Sequence, residues 1–127
     1  MNRRYKRYIP KGSKVIIEFS GGVSSDTEAR ADVSPNEGYK FKIKYFKLTT
    51  PPEVEANIII KTDKGEQPLL AENQPENTTM VYDHSDFDNE EMFYLDSFAL
   101  YAKTTANTTN VRDVVLEYDG VMEVPYL

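Results

Sequence analysis

Residues 38–50 read Gly-Tyr-Lys-Phe-Lys-Ile-Lys-Tyr-Phe-Lys-Leu-Thr-Thr, and over most of this stretch apolar side chains alternate with lysines. Because successive side chains of a strand point to opposite faces, the alternation predicts a β-strand with one apolar face and one lysine-bearing face. The alternation shifts by one residue at Tyr45-Phe46. We expect a β-bulge near that point, because a bulge keeps Phe46 and Leu48 facing the core. Pro51-Pro52 ends the strand, since proline has no N–H for the ladder.

The rest of the chain follows the same pattern, with short runs of β-branched and aromatic residues between turn residues. Asp63-Lys64-Gly65 is typical of a hairpin turn, because glycine readily adopts a positive φ. No window of helical length keeps an apolar stripe, and only residues 86–95 could hold a helical turn. The predicted strands, besides the one in residues 38–50, cover residues 14–19, 27–33, 54–62, 66–71, 79–82, 92–103 and 111–124, the last with a candidate break at Asp119-Gly120.

About eight short strands separated by turns predict an all-β, single-domain β-sandwich, for which the jelly roll is the most natural eight-stranded arrangement. An immunoglobulin-like sandwich is the alternative, although the Cys and Trp landmarks of that fold are absent from the chain. At 127 residues the chain is long enough for one domain with its own core. We assign residues 1–13 to a basic N-terminal arm and residues 14–127 to the sandwich domain.

The chain has few residues equipped for catalysis. It contains no cysteine and one histidine, His84, which excludes thiolate metal sites and makes the commonest general base scarce. It has no nucleophile elbow, phosphate-binding glycine loop or paired-histidine zinc motif. We therefore predict that the protein is not an enzyme and needs no cofactor. A small hydrolase that uses two of the 21 acidic residues is a further alternative.

Localisation follows from the absence of long apolar segments. The basic start of the chain has no apolar stretch behind it, and the longest apolar runs are as short as Ile58-Ile59-Ile60. Neither a secretory signal peptide nor a transmembrane segment is predicted. We expect the protein in the cytoplasm or in another location that needs no membrane crossing, without a membrane partner.

The N-terminal arm is the leading candidate binding site. Six of the 15 basic residues lie in the first 17 positions, which hold no acid, so the remainder carries nine basic against 21 acidic residues, a balance of −12. Such a segment can neutralise phosphates and stack on bases, or lie along an acidic protein surface. A protein partner is favoured over nucleic acid, because an acidic body repels a polyanion. The candidate partner-binding residues are Arg3, Arg4, Tyr5, Lys6, Arg7 and Tyr8.

Two further charged features are candidate sites. Lys40, Lys42 and Lys44 line one strand face, where they either solubilise an exposed face, protect an edge strand or bind a polyanion. Residues 83–91 hold five carboxylates, an arrangement that suits calcium, although its spacing does not match an EF-hand. The simpler interpretation of this segment is a solvated connection between strands. Its candidate calcium ligands are Asp83, Asp86, Asp88 and Glu90.

Three C-terminal segments are distinctive in composition: Phe93-Tyr94-Leu95-Asp96-Ser97-Phe98-Ala99-Leu100-Tyr101-Ala102, the Thr/Asn-rich residues 104–110, and Val114-Val115-Leu116-Glu117-Tyr118-Asp119-Gly120. In these segments the C-terminal half resembles small β-rich virion proteins of tailed phages and other prokaryotic viruses, which makes the virion an expected location beside the cytoplasm. The resemblance implies a capsid, decoration or tail component with a sandwich or jelly-roll fold, whose extended arm reaches a neighbouring subunit. The small size favours an accessory protein over a major capsid protein. The resemblance transfers no functional residue.

These observations lead to two main functional hypotheses. The first is a structural or assembly protein, a capsid-associated or tail component of a virion, that self-associates or docks on a larger lattice of protein subunits through exposed strands and residues 1–13. The second is a ligand-binding β-sandwich for carbohydrate or another polar polymer, which would use tyrosine side chains and acidic loops.

Overall fold

The computed structural model describes residues 6–83 and 93–124, and every regular element within these ranges is a β-strand. The predicted all-β class is therefore confirmed. No helix in the described part of the chain is long and apolar enough to cross a membrane. The strands, in chain order, are β1 (Lys6–Tyr8), β2 (Lys14–Phe19), β3 (Glu28–Val33), β4 (Lys40–Thr50), β5 (Val54–Thr62), β6 (Gly65–Pro68), β7 (Thr78–Asp83), β8 (Phe93–Leu95), β9 (Ser97–Thr104) and β10 (Arg112–Glu123).

The strands form two antiparallel sheets. In sheet A, β10 and β4 lie side by side at the centre. β1 and β2 follow one another along the other side of β10, and β7 and β8 follow one another along the other side of β4. In sheet B the order is β3-β9-β5-β6. Each sheet is therefore four strands wide.

The pairing of the long strands is nested. β2 pairs with β10, β3 with β9, β4 with β7, and β5 with β6. A long hairpin wound around itself gives this nesting, and the result is a jelly roll. The predicted jelly roll is confirmed. The immunoglobulin-like alternative is wrong, because the first strand of that fold lies beside the second in one sheet, whereas β2 and β3 lie in different sheets.

Several predicted strand bounds agree with the structure. β2 and β5 begin and end where the sequence pattern predicts, and the turn at Asp63-Lys64 joins β5 to β6 with Gly65 at a φ of 100°. The predicted single strand over residues 92–103 is divided at Asp96, because β8 pairs in sheet A and β9 in sheet B. The helical turn considered for residues 86–95 falls mostly outside the described residues, and its last three residues are strand β8.

The predicted bulge is present in β4. Opposite β10, Asp119 pairs with Tyr45 and Gly120 pairs with Ile43, so that Lys44 is the extra residue. The bulge keeps the residues on both sides of it facing the core, as the shift in alternation requires. β10 is not broken at this point, and continues through the register shift to Glu123.

The core between the sheets centres on the Phe98 ring of sheet B. Its centroid lies 5.1 Å from that of Phe41, 5.0 Å from that of Phe46 and 5.0 Å from that of Tyr118, all in sheet A. These separations are typical of favourable aromatic pairs. Full burial of one such apolar side chain contributes about 1.5–3 kcal/mol. The aliphatic residues buried around the rings include Ile43, Leu48, Val54, Ile58, Leu95, Leu100, Val114 and Leu116.

A buried glutamine joins the two sheets where β4 and β5 meet. The Gln74 backbone exchanges two hydrogen bonds with Ala56 of sheet B, with N–O distances of 2.6 and 3.1 Å. Its side-chain amide donates to the Leu48 and Thr78 carbonyls of sheet A, and its oxygen accepts from the Tyr82 hydroxyl at 2.7 Å. Every polar atom of this buried side chain is thereby satisfied, as burial requires.

We expect Gln74→Ala to lower the free energy of unfolding by about 2–3 kcal/mol, because it removes three side-chain hydrogen bonds from a buried position and leaves a cavity there. Urea denaturation measures the loss. The control is Gln67→Ala on the exposed strand β6, which should change the free energy by no more than about 0.5 kcal/mol. Equal effects of the two substitutions would show that Gln74 does not join the sheets.

Candidate interaction surface

The described part of the predicted arm is an edge strand. Lys6, Arg7 and Tyr8 form β1 and pair antiparallel with residues 121–123 of β10. All three side chains are exposed, whereas the next residue, Ile9, is buried in the core. The Ile9 N–H donates to a carbonyl of β10 at 3.1 Å. The segment is thus held against the sandwich by both its backbone and an apolar side chain.

The boundary of the predicted arm changes accordingly. Residues 6–13 belong to the sandwich, because β1 pairs with β10 and the Ser13 carbonyl accepts a hydrogen bond from the Tyr118 N–H at 3.1 Å. Arg3, Arg4 and Tyr5 lie outside the described residues, and their role in binding stays a prediction.

Arg7 contacts the loop between β3 and β4. Its Nε donates to the Tyr39 hydroxyl at 3.3 Å, and its guanidinium carbon lies 5.8 Å from the centroid of the Tyr39 ring. The side chain remains exposed, so this contact orients a cation without removing it from solvent.

The three lysines of β4 do not form one free basic row. Lys40 Nζ lies 2.9 Å from Asp96 Oδ1 and 5.5 Å from the centroid of the Tyr94 ring. The hydrogen bond to Asp96 raises the pKa of the Lys40 amine. Lys42 Nζ lies 3.5 Å from Glu123 Oε1, and Lys44 is exposed at the bulge. Acidic neighbours therefore reduce the net positive charge that two of these lysines offer to a polyanion.

The position of β4 also decides between the interpretations of these lysines. β4 pairs with β10 on one side and with β7 and β8 on the other. It is an interior strand of sheet A, so protection of a sheet edge is the wrong explanation for its lysines. The lysines lie on the outer face of the sheet, where they remain candidates for solubilising that face or for contacting a polyanion.

The predicted calcium ligands fall largely outside the described residues. Asp83 ends β7, whereas Asp86, Asp88 and Glu90 are not among the described residues. Within residues 6–83 and 93–124 no three acidic or histidine side chains are arranged to hold a metal ion. The calcium hypothesis for residues 83–91 stays a prediction.

The outer face of sheet A carries apolar side chains at strand positions that face solvent, where polar residues are expected. Ile16, Val115, Thr49 and Thr79 occupy directly opposite positions on β2, β10, β4 and β7. Paired residues of adjacent strands share one face. This register therefore places an uncharged row across the whole sheet.

A second row crosses the same face nearer the β1 end. Tyr8, Val121, Lys42 and Tyr94 are directly opposite one another on β1, β10, β4 and β8. Exposed tyrosines thus stand at both ends of the row, with a lysine and a valine between them. One predicted binding residue, Tyr8, is brought onto the same face as the apolar residues of the first row.

Four of the six large exposed apolar side chains among the described residues lie on one face of the sandwich. The exposed fractions are 78% for Tyr8, 47% for Ile16, 51% for Val81 and 42% for Tyr94, all on the outer face of sheet A. The other large exposed apolar residues among those described are Met80 of β7 and Val111, the residue before β10. None lies in sheet B. Exposed apolar residues gathered on one face are typical of an interaction site.

Sheet B presents a polar outer face in which side chains contact one another. Arg30 of β3 reaches across the sheet to Glu66 of β6, with an Nη2–Oε2 distance of 2.7 Å, and also contacts Asp32. The Tyr101 hydroxyl donates to Glu28. Burial and that hydrogen bond raise the pKa of Tyr101 to about 12. Many of the polar side chains on the outer face of sheet B are therefore already bonded to one another, which leaves fewer of them for a binding partner.

The apolar face was not predicted from the sequence, although a signal is present. Val15-Ile16-Ile17 and Met80-Val81-Tyr82 are continuous apolar runs where a half-exposed strand normally alternates. Such a run indicates either a strand buried on both faces or an exposed apolar face. The choice between them requires knowledge of what covers the sheet.

Comparisons with known proteins find likeness in structure alone. No protein-family model matches the chain, and no curated protein matches it significantly. A family 32 CBM from C. perfringens NanJ, solved in complex with galactose, is similar at a TM-score of 0.42 and 10% identity over 89% of this chain and 98% of that one.

Two structures of viruses are also similar. Infectious bursal disease virus (Gt strain) gives a TM-score of 0.37 and 13% identity, covering 94% of this chain and 31% of that chain. The present chain thus spans about a third of that viral chain. Tomato aspermy virus gives a TM-score of 0.35 and 10% identity, covering 91% of this chain and 81% of that one.

Proposed function

We propose that this protein is a non-enzymatic structural or assembly protein that binds neighbouring protein subunits through the outer face of sheet A. The observation that carries the proposal is the one-sided distribution of exposed apolar residues. Ile16, Val81, Tyr94 and Tyr8 share that face, whereas the outer face of sheet B is polar and internally paired. Association that covers water-exposed apolar surface lowers the free energy of the system.

The basic strand β1 extends the proposed surface. Lys6 and Tyr8 are opposite Glu123 and Val121 of β10, and so share the outer face with them. A surface with apolar residues and a basic margin suits an acidic protein partner, and residues 18–127 of this chain are themselves strongly acidic. Neighbouring copies of the chain therefore offer a suitable charge to β1.

We further propose that the assembly in question is a virion, in which the chain is a capsid-associated or tail component. This part of the proposal is supported by the sequence resemblance to small virion proteins and is compatible with the jelly-roll topology. Fold alone does not establish function, so the biochemical test addresses the surface and not the topology.

The test is association of the full chain, measured by sedimentation velocity over a range of concentrations. We expect the wild-type sedimentation coefficient to rise with concentration. Ile16→Lys should weaken association by about tenfold or more, because it places a charge in the uncharged row. The matched control is Gln67→Lys, which adds the same charge to the exposed strand β6 of sheet B and should leave association unchanged. A wild-type chain that stays monomeric throughout, or equal effects of the two variants, would contradict the proposal.

Ligand binding is the second candidate function, and the exposed rings of Tyr8 and Tyr94 favour it. Tyrosine faces can stack on sugars, and these two rings lie at the ends of one row on an exposed face. A glycan array with the wild-type chain and a Tyr94→Ala variant is the test. Binding that is lost in the variant supports this candidate, and absence of binding across diverse glycans removes it.

A further inference from the structure

Most sheet edges in the described residues carry charge or proline. β1 has Lys6 and Arg7, and β2 has Lys14 and Glu18. β3 alternates charged residues with small ones, and β6 is a four-residue strand with Glu66 and Pro68. Charged residues, proline and short length are the devices by which proteins prevent edge strands from pairing with other chains.

β7 is the exception among the longer edge strands. Its first five residues, Thr78-Thr79-Met80-Val81-Tyr82, are uncharged and contain no glycine or proline, and all but Met80 are of types enriched in β-strands. One side of the strand pairs with β4. Met80 and Val81 are 46% and 51% exposed, and among the described residues no backbone hydrogen bond reaches Thr79, Met80 or Val81 from the other side.

We propose that β7 is a self-association edge, at which two copies of this chain pair antiparallel about a twofold axis through Val81. The inference rests on the proposed function and deepens it by naming the partner as a second copy and the contact as β7 against β7. Sheet A of each copy then continues into sheet A of the other, and the backbone groups of Thr79, Met80 and Val81 that face away from β4 gain partners.

Charge selects the antiparallel orientation. Parallel pairing would bring the Asp83 residues of two copies side by side, and the sequence continues from there into the acidic segment 83–91. Like charges directly opposite one another destabilise a strand pair. Antiparallel pairing separates the two Asp83 residues and leaves only uncharged residues at the centre of the contact.

The exposed apolar residues select the register. With Val81 opposite Val81 of the second copy, Met80 lies opposite Tyr82, so both exposed apolar residues of β7 gain apolar partners. A shift that places Met80 opposite itself would leave Val81 opposite Thr79. One strand pair is small for a stable interface, and we therefore expect weak dimerisation that a crowded lattice would strengthen.

The chain contains no cysteine, so single cysteines can report the contact in the full-length protein. Val81→Cys places two thiols directly opposite one another across the twofold axis, where the separation of opposed strand positions suits a disulfide. Under mild oxidation we expect Val81→Cys to form covalent dimers at least about tenfold faster than Gln67→Cys, an exposed-edge control in sheet B.

Met80→Cys tests the register. In the proposed register the two Met80 positions are offset by two residues along the strands, which puts their Cα atoms about 8 Å apart. That distance is too long for a disulfide without backbone movement. Faster cross-linking of Met80→Cys than of Val81→Cys would overturn the proposed register and its twofold axis.

The failures of this inference and of the proposed function are distinguishable. If Val81→Cys links no faster than Gln67→Cys while the wild-type chain still associates and Ile16→Lys weakens that association, the β7 contact is wrong and the proposed surface stands. If Val81→Cys links rapidly, and Ile16→Lys and Gln67→Lys affect association equally, the β7 contact stands and the wider face is wrong. A thermal melt of each variant confirms that the exposed substitutions leave the fold intact.

Discussion

Replacement of Phe98 by alanine is expected to lower the free energy of unfolding by about 3–5 kcal/mol. The Phe98 side chain is 1% exposed and contacts three aromatic rings of the opposite sheet at centroid distances of 5.0–5.1 Å. Truncation removes apolar burial, three ring contacts and the filling of the space between them. Because the two hydrogen-bonded sheets hold the walls of that space apart, the cavity can collapse only in part.

The size of this loss matters against the total stability of a domain, which is about 5–15 kcal/mol. Chemical denaturation of the wild type, Phe98→Ala and Phe98→Leu measures it. The leucine variant keeps most of the apolar volume and should lose less than half as much as the alanine variant. A loss below about 1 kcal/mol for Phe98→Ala would show that the aromatic cluster is not the centre of the core.

Replacement of Gly120 by alanine is expected to destabilise the fold by at least about 3 kcal/mol, because the substitution meets two independent obstacles. Gly120 has a φ of 152°, which side-chain-bearing residues rarely adopt. A Cβ at this position would also lie 2.2 Å from the Lys42 carbonyl oxygen and 2.9 Å from the Ile43 Cα. Both obstacles involve backbone atoms, so no side-chain rotation can relieve them.

The matched control for Gly120 is Gly38→Ala. Gly38 also has a positive φ, of 83°, but an added Cβ meets no atom within 4 Å. Its substitution should cost about 1–2 kcal/mol from backbone conformation alone. Thermal or urea denaturation measures the loss of stability in each variant. The excess loss in Gly120→Ala over Gly38→Ala reports the steric cost of the close approach of β10 to β4 at the bulge. Equal losses would mean that this approach is not required by the fold.

Local features of the sequence predict much of the fold. The alternation in residues 38–50 predicts strand β4, its apolar face and the bulge beside Tyr45, because side-chain phase is a local property. The turn at Asp63-Lys64-Gly65 is likewise local. The need for glycine at position 120 is not local, since it arises from the carbonyl of Lys42 on another strand. No pattern around Gly120 indicates that approach.

The candidate site depends still more on contacts distant in sequence. The row of lysines in β4 is visible in the sequence, but the salt bridges of Lys40 with Asp96 and Lys42 with Glu123 require the jelly-roll pairing. The sequence also does not distinguish the buried Ile17 from the exposed Ile16. Which of the two is buried depends on which face of β2 packs against sheet B. The basic segment is recognisable from composition, whereas the docking of residues 6–8 on β10 is not.

Hydrogen–deuterium exchange of the wild-type chain, compared between dilute and concentrated solution, tests most directly whether sheet A is the binding surface. Association should slow exchange in the edge strands of sheet A, most strongly in residues 78–83, and leave β3 and β6 of sheet B unchanged. Slower exchange confined to β3 and β6, or exchange that does not depend on concentration, would contradict the assignment of the interaction surface to sheet A.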